Sequence, residues 1–268
     1  MCRILKVSRS GFYEYLNRKK SKRTIENEAL YEIIKDIFEE HKGRYGARRI
    51  QLVLEKINIK ANHKRIAKIM NKNGLVARGT RKVYPAYPKV KPYEEKENIL
   101  NQVFEAKEKN KIWVGDITYI KTKNGFLYLS VFIDIFSRKV TGWAMDTRIR
   151  SGLVLSSLTQ AIGRENPNPG LIVHTDRGSQ YTCRNFQSSL VACGFKHSMS
   201  RRGNPYDNAV IESFYRTLKR ELVKGANYDN PEQARLEIFK YIEFYYNTKR
   251  MHSALNYMSP IEYELKNS

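Results

Sequence analysis

The chain has 268 residues, of which 49 are Lys or Arg and 27 are Asp or Glu, giving a formal net charge of +22. A protein this basic usually acts on a polyanion, and its 41% of apolar residues are enough to build a packed core. Three cysteines exclude a disulfide framework, and no apolar stretch is long enough to span a membrane. We therefore expect a nucleic-acid-binding protein of a reducing compartment, with about two domains.

Residues 1–76 predict a small helical region. Ser8, Thr24 and Asn62 are candidate N-caps, and the helix that begins near Ala47 is expected to turn Ile57 inward. Two short helices joined by a brief turn, the second of them basic, indicate a helix-turn-helix-like DNA-binding pair, with a plain helical bundle as the alternative. The residues expected to contact DNA are basic or histidine side chains of the second helix: His63, Lys64, Arg65, Lys68 and Lys72.

A long basic run overlaps the end of this region. Between Lys56 and Tyr93 there are 11 basic residues and no acidic one, which favours contact with nucleic acid over a merely solvated surface. Residues 77–98 contain Pro85, Pro88 and Pro92 among basic and tyrosine residues. Such a composition is typical of an extended, semi-rigid linker.

Residues 99–268 predict an α/β domain. Strands are expected at 112–120, 126–136, 139–145, 171–175 and 195–199, and helices at 151–163, 184–193 and 231–246. A further helix is expected to open at Asn204-Pro205 and to carry Asp207 in its first turn. Strands that come first and then alternate with helices indicate a mixed sheet flanked by helices.

Three acidic residues in this domain stand out from the other charges. Asp116 lies within an apolar strand, Asp176 ends another, and Glu212 falls early in a helix. Burying several carboxylates is unfavourable unless cations compensate them. Carboxylate oxygens suit Mg²⁺ or Mn²⁺, and a pair of such ions supports in-line displacement at phosphorus. We therefore expect two Mg²⁺ (or Mn²⁺) ions, with Asp116 bridging both.

Longer motifs around these acids resemble a known family. They are Trp113-x-x-Asp116-Ile-Thr-Tyr, His174-Thr-Asp176-Arg-Gly-Ser-Gln-Tyr181 and Asn204-Pro-Tyr-Asp-Asn-Ala-Val-Ile-Glu212. Together with Tyr246-Asn247-x-x-Arg250-x-His252, they resemble the DDE transposases of bacterial insertion sequences, of the OrfB type related to retroviral integrases. The resemblance implies a ribonuclease-H-like core that cleaves DNA and transfers a 3′-hydroxyl to a phosphodiester. It leaves as alternatives a nuclease of the same fold and a non-catalytic DNA-binding regulator.

The resemblance also implies partners and supporting residues. We expect double-stranded DNA as substrate, a homo-oligomer on that DNA, and a location in the bacterial cytoplasm at the nucleoid. In this family the product of an upstream frame often forms part of the enzyme, so it is a further expected partner. Arg250 and His252 are expected to pin the C-terminal segment. Residues around the acids expected to contact DNA or position the site are Arg177, Gln180, Tyr181, Asn208, Arg216 and Lys219.

Overall fold

The structure is a computed structural model that describes residues 8–17, 21–78, 106–200 and 208–267. For Tyr15 it describes the backbone only. The chain divides into two compact units, Met1–Arg81 and Lys82–Ser268. Most of the predicted linker at 77–98 lies outside the described residues, as do Asn204, Pro205 and Asp207. Within the described ranges, no helix has both the length and the apolar character needed to cross a membrane.

The N-terminal unit is helical. Its described helices are α1 (Arg9–Asn17), α2 (Lys22–Glu40), α3 (Ala47–Lys56) and α4 (His63–Lys72). The predicted caps at the first and last of them are confirmed, since Ser8 Oγ accepts the Gly11 N–H at 3.1 Å and Asn62 Oδ1 accepts the Lys64 N–H at 2.9 Å. The predicted cap at Thr24 is wrong. Ser21 caps α2 instead, because its side chain accepts the N–H of Thr24, which already lies in the first turn.

The core of this unit comes from the inward faces of α2, α3 and α4. It contains Leu30, Ile34, Ile37, Ile50, Leu54, Ile66, Ile69 and Met70. Ile57 was expected among them and is 51% exposed. It lies one residue past the end of α3, so the helical periodicity that would have turned it inward no longer applies.

The second unit is built on a five-stranded sheet in the order β3-β2-β1-β4-β5. The strands are β1 (Ile112–Thr122), β2 (Gly125–Asp134), β3 (Val140–Asp146), β4 (Ile172–Thr175) and β5 (Lys196–Met199). The first three form an antiparallel meander, whereas β4 runs parallel to β1 and β5 parallel to β4. The mixed sheet predicted from the sequence is confirmed.

Helices flank this sheet. They are α5 (Ser151–Glu165), α6 (Ser179–Thr182), α7 (Arg184–Ala192), α8 (Ala209–Leu218), α9 (Pro231–Tyr241) and α10 (Pro260–Asn267). Both α8 and α9 continue into a π-helical turn, Lys219–Val223 and Ile242–Tyr246 respectively. The predicted helix at 231–246 is therefore α9 together with its π turn.

One apolar cluster joins the sheet to α5 and α7. It includes Trp113, Phe132, Leu158, Phe186 and Leu190. The helix α5 approaches β3 so closely that a Cβ atom at Gly142 would lie 2.3 Å from the carbonyl oxygen of Ser157. A glycine at this position is thus required by the packing of helix on sheet.

A buried ion pair anchors the C-terminal segment. Arg250 Nη2 donates to Glu221 Oε1 at 2.8 Å and Arg250 Nε donates to Glu221 Oε2 at 3.0 Å, while the Tyr241 hydroxyl donates to Glu221 Oε2 at 2.9 Å. Both charged side chains are almost fully buried. Because Glu221 lies in the π turn that extends α8, this contact fixes the end of the helix that carries Glu212. The predicted anchoring role of Arg250 is confirmed.

Candidate active site

The parallel pairing of β1 and β4 places two of the three acids side by side. The register joins Val114 to His174 and Gly115 to Thr175. Asp116 is the next residue on β1, and Asp176 directly follows the end of β4. Adjacent strands lie about 4.8 Å apart. The C-terminal end of β4 therefore presents two carboxylates together, at the edge where open α/β sheets hold their ligands.

The third acid is coupled to this pair through α8. Glu212 lies in the first turn of that helix, and Tyr215, one turn later, donates its hydroxyl to the main-chain oxygen of Asp116 at 2.5 Å. The negative charges of Asp176 and Glu212 both raise the pKa of Asp116. The structure thus places Asp176 and Glu212 near enough to Asp116 for their charges to act on it.

The pKa of Asp116 is strongly raised. Burial raises its pKa from 3.8 to about 7, and the other two carboxylates add to this effect. A hydrogen bond from the Ile117 N–H to Oδ1, at 2.7 Å, and the charge of Lys219 act in the opposite direction. Burial also raises the pKa of Glu212, against the charge of Arg216. A bound cation would stabilise the ionised form of such a carboxylate.

The donor set suits a hard divalent cation, since it consists of carboxylate oxygens. One oxygen of Asp176 already accepts the Gly178 N–H at 2.9 Å, which orients the carboxylate. In the part of the chain that the structure describes, no group of three or more His, Cys, Asp or Glu side chains is close enough to hold a metal ion together.

A raised pKa is not by itself a sign of catalysis in this protein, as Asp134 shows. Its pKa is also raised by burial to about 7, yet its carboxylate accepts the N–H of Asn110 at 2.7 Å and of Phe136 at 2.9 Å. It therefore closes the turn between β2 and β3. Two further acids, Glu165 and Glu264, also raise the pKa of Asp134, but both are paired with Lys139 at 2.8 Å.

Basic residues of α8 and its extension lie beside the acids. Arg216 and Lys219 are exposed. The charge of Arg216 lowers the pKa of Glu212, and the charge of Lys219 lowers that of Asp116. Lys219 Nζ also lies 5.2 Å from the centroid of the Tyr119 ring. The predicted common face of Glu212, Arg216 and Lys219 is thus present in the structure.

The residues that follow β4 differ in accessibility. Arg177 Nε donates to the Ser200 carbonyl at 3.0 Å, and Gln180 is partly exposed. Tyr181 is only 1% exposed, so the prediction that its side chain contacts DNA is wrong; it belongs to the apolar cluster. Asn208 immediately precedes α8, and its buried Oδ1 has no hydrogen-bond partner among the described residues.

In the N-terminal unit the predicted DNA-contacting residues of α4 fall into two groups. Lys64, Lys68 and Lys72 are exposed and His63 is partly exposed. Arg65 is instead held against α2, because its Nε donates to Asn27 Oδ1 at 2.7 Å and its guanidinium pairs with Glu26 at 3.4 Å. The side chain of Arg65 therefore contacts α2 and is not directed only toward solvent.

Tyr215 is the site residue that the sequence analysis missed. The sequence does indicate that Tyr215 is buried. The apolar residues of this helix recur with the helical period of a buried face, which consists of Ile211, Phe214, Tyr215 and Leu218. A tyrosine on such a face normally needs a partner for its hydroxyl. The acceptor, a main-chain oxygen 99 positions away, was not available from the sequence.

Family models match the same regions. Residues 106–205 and 193–260 each match an integrase core domain, and residues 25–83 match an HTH-like domain. The mixed sheet with its flanking helices and adjacent acids, joined to an HTH-like region, defines a polynucleotidyl transferase of the integrase-core class.

Two curated relatives cover nearly the whole chain. The transposase for insertion sequence element IS904 of Lactococcus lactis subsp. lactis (strain IL1403) is 53% identical over 94% of this chain and all of that protein. Transposase InsF for insertion sequence IS3A of Escherichia coli (strain K12) is 38% identical over 100% of this chain and 93% of that protein. The chain therefore belongs to the insertion-sequence transposases, and it is a DDE polynucleotidyl transferase that cleaves DNA and transfers strands.

Among solved structures, the intasome of simian T-cell lymphotropic virus in complex with a regulatory subunit of PP2A is similar over 82% of this chain and 70% of that one, with 20% identity and a TM-score of 0.49. The predicted resemblance, fold class and transposase activity are confirmed by the family models and the curated relatives. The alternatives of a simple nuclease and of a non-catalytic regulator are set aside.

Proposed function

We propose that Asp116, Asp176 and Glu212 are the catalytic residues and that together they hold two Mg²⁺ or Mn²⁺ ions. The observation that carries this proposal is the position of Asp116. It lies beside Asp176, and burial, together with the charges of both other acids, raises its pKa to about 7. Such ions, when bound, activate the attacking hydroxyl and stabilise the leaving oxygen.

The protein's own groups orient the reacting strand. Asp116, which lies on β1, would be a ligand shared by the two cations, and Asp176 and Glu212 would each hold one of them. Arg216 and Lys219 project from the exposed side of the same helix segment as Glu212. They hold the phosphates next to the scissile bond, since Lys and Arg supply most phosphate contacts in protein–DNA complexes. Arg177, Gln180 and Asn208 border the acids and position the strand.

The N-terminal region, residues 1–76, supplies further DNA contacts in this proposal. The exposed residues Lys64, Lys68 and Lys72 and the partly exposed His63 face the duplex, while Arg65 braces α4 against α2. Residues 77–98 act as a basic linker to the catalytic region at 99–268. Phosphate contacts of this kind give affinity without sequence preference.

The assembled enzyme is proposed to be a homo-oligomer on double-stranded DNA, in the bacterial cytoplasm at the nucleoid. The two ends of an element and its target must meet in one complex, which favours more than one copy of the chain. The product of an upstream frame is a further candidate partner.

The experiment measures metal-dependent nicking and joining of oligonucleotides that carry the ends of the element. Asp116→Asn, Asp176→Asn and Glu212→Gln are each expected to abolish both reactions while duplex binding is retained. Asp146→Asn is the matched control, because this acid ends the strand β3 and its carboxylate accepts local hydrogen bonds from Thr147 and Arg148. Wild-type joining by any of the first three variants would remove that residue from the catalytic set.

A further inference from the structure

The β1–β2 hairpin carries an exposed aromatic pair at its far end. Tyr119 is 58% exposed and Phe126 is 44% exposed, and their ring centroids lie 5.7 Å apart with the ring planes at 80°. The pairing of β4 with β1 stops at Gly115, so the hairpin extends past β4 at this end. The Tyr119–Phe126 pair is thus presented to solvent on a rigid antiparallel ribbon.

This pair lies close to the catalytic acids. Tyr119 is three residues beyond Asp116 on β1, a distance of about 10 Å along the strand, and side chains three residues apart leave opposite faces of a strand. Lys219 connects the two, because its ammonium lies 5.2 Å from the Tyr119 ring and its charge lowers the pKa of Asp116. An aromatic surface, a cation and the metal-binding acids therefore follow one another in space.

We propose that the Tyr119–Phe126 pair stacks on an unpaired base of the DNA strand that is cut at the acids, with Lys219 holding the adjoining phosphate. Exposed aromatic rings beside cations are the chemistry with which proteins hold single-stranded DNA. The inference rests on the proposed catalytic role of Asp116, Asp176 and Glu212, since that role places the strand at this edge of the sheet.

Charge decides between DNA and a second protein chain as the occupant. Two exposed basic residues adjoin the pair: Lys121 is the strand partner of Phe126, and the ammonium of Lys219 lies over the Tyr119 ring. Asp229, which is bonded to the hairpin turn, is already paired with Lys123 at 2.6 Å. A second copy of a chain of net charge +22 would bring like charges together here, whereas a phosphodiester strand neutralises them.

The stacking has a defined consequence for the reaction. Separating the base pairs next to the scissile phosphate is unfavourable, and a base that stacks on protein recovers part of that loss. Removing the tyrosine ring should weaken the binding of DNA with unpaired ends by about ten- to one-hundred-fold. Binding of fully paired DNA should change by less than about threefold, because the phosphate contacts remain.

The test uses the full-length protein and two DNA duplexes of equal length, one fully paired and one with a three-nucleotide unpaired end that contains 2-aminopurine. Stacking of this base on the protein quenches its fluorescence. Tyr119→Ala should abolish the quenching and weaken binding of the unpaired end alone, while Tyr119→Phe retains both. Phe244→Ala is the matched control, since Phe244 is also exposed and packs edge-on against another ring, Phe239, and it should quench as wild type does.

Two results would overturn the inference. One is wild-type quenching and affinity in Tyr119→Ala. The other is an equal loss of affinity for both duplexes in Tyr119→Ala. If sedimentation also showed a changed oligomeric state of this variant, the aromatic pair would be a protein interface. Asp116→Asn separates the two proposals: it should quench normally and be inactive, and an active Asp116→Asn would contradict the catalytic assignment alone.

Discussion

The hydroxyl of Tyr215 donates a hydrogen bond to the main-chain oxygen of Asp116, so the helix that carries Glu212 is bonded directly to the strand that carries Asp116. At the other end of the same helix segment, Glu221 is held by Arg250. The first contact holds α8 against β1, and the second holds its π-helical extension against the C-terminal segment. The distance between Glu212 and Asp116 is therefore set by the fold rather than by the flexible side chains alone.

We expect Tyr215→Phe to slow strand transfer about two- to tenfold, because a typical hydrogen bond contributes about 0.5–1.5 kcal/mol and its loss frees α8. Tyr246→Phe is the matched control: its hydroxyl also donates to a main-chain oxygen, that of Arg138, at 3.1 Å. Both variants should lose similar thermal stability. If both had the same strand-transfer rate as wild type, the bond from Tyr215 would be purely structural.

The pKa of Asp116 predicts how the stability of the metal-free protein depends on pH. The folded protein keeps its Asp116 proton up to pH about 7, whereas the unfolded chain loses that proton near pH 3.8. Between these values the folded state binds more protons, so the free energy of unfolding falls as pH rises from about 4 to 7 and then levels off.

Asp116→Asn should remove the contribution of Asp116 to this decrease in the free energy of unfolding, on the order of 2–4 kcal/mol. Asp134 has a similarly raised pKa but is present in both proteins, so the difference between them isolates Asp116. Urea unfolding at a series of pH values, with a chelator present, measures it. Parallel curves for the two proteins would contradict the assigned pKa.

Divalent cations should offset the loss of stability that the ionisation of Asp116 causes. Bound Mg²⁺ or Mn²⁺ favours the ionised carboxylate, and a ligand at 100 times its dissociation constant stabilises the folded state by about 2.7 kcal/mol. We expect the melting temperature of wild type at pH 7.5 to rise with Mn²⁺ and that of Asp116→Asn to rise much less, with Asp146→Asn behaving as wild type. Equal shifts in all three proteins would argue against Asp116 as a ligand.

The N-terminal unit gives a prediction about salt. Each phosphate contact contributes about 0.9 to the slope of log K against log salt concentration. Neutralising Lys64 and Lys68 together should flatten the slope for duplex DNA by about two. Arg65→Gln should instead lower the melting temperature and change the slope little, because its side chain is bonded to Asn27 and Glu26. A slope unaffected by the lysine changes would favour the plain helical bundle.

The sequence predicted what is local in this protein. Alternating apolar residues predicted the strands, and Asn62 predicted the start of α4, because a cap acts within one turn. Asp116, Asp176 and Glu212 were found from their immediate surroundings and spacing. The contacts that were missed join distant positions: Arg65 to Asn27, and Tyr215 to Asp116. Such pairs depend on how the elements pack, and a single sequence does not contain that information.

The most direct test of the account is the single-turnover rate of strand transfer for the three single variants, Asp116→Asn, Asp176→Asn and Glu212→Gln, and for the triple variant. Residues that act as one unit have strongly non-additive effects. We predict that each single change lowers the rate at least about a thousandfold and that the triple variant is no more than about tenfold slower than the slowest single one. A single variant within tenfold of the wild-type rate, or a triple effect equal to the product of the three, would contradict a shared active site.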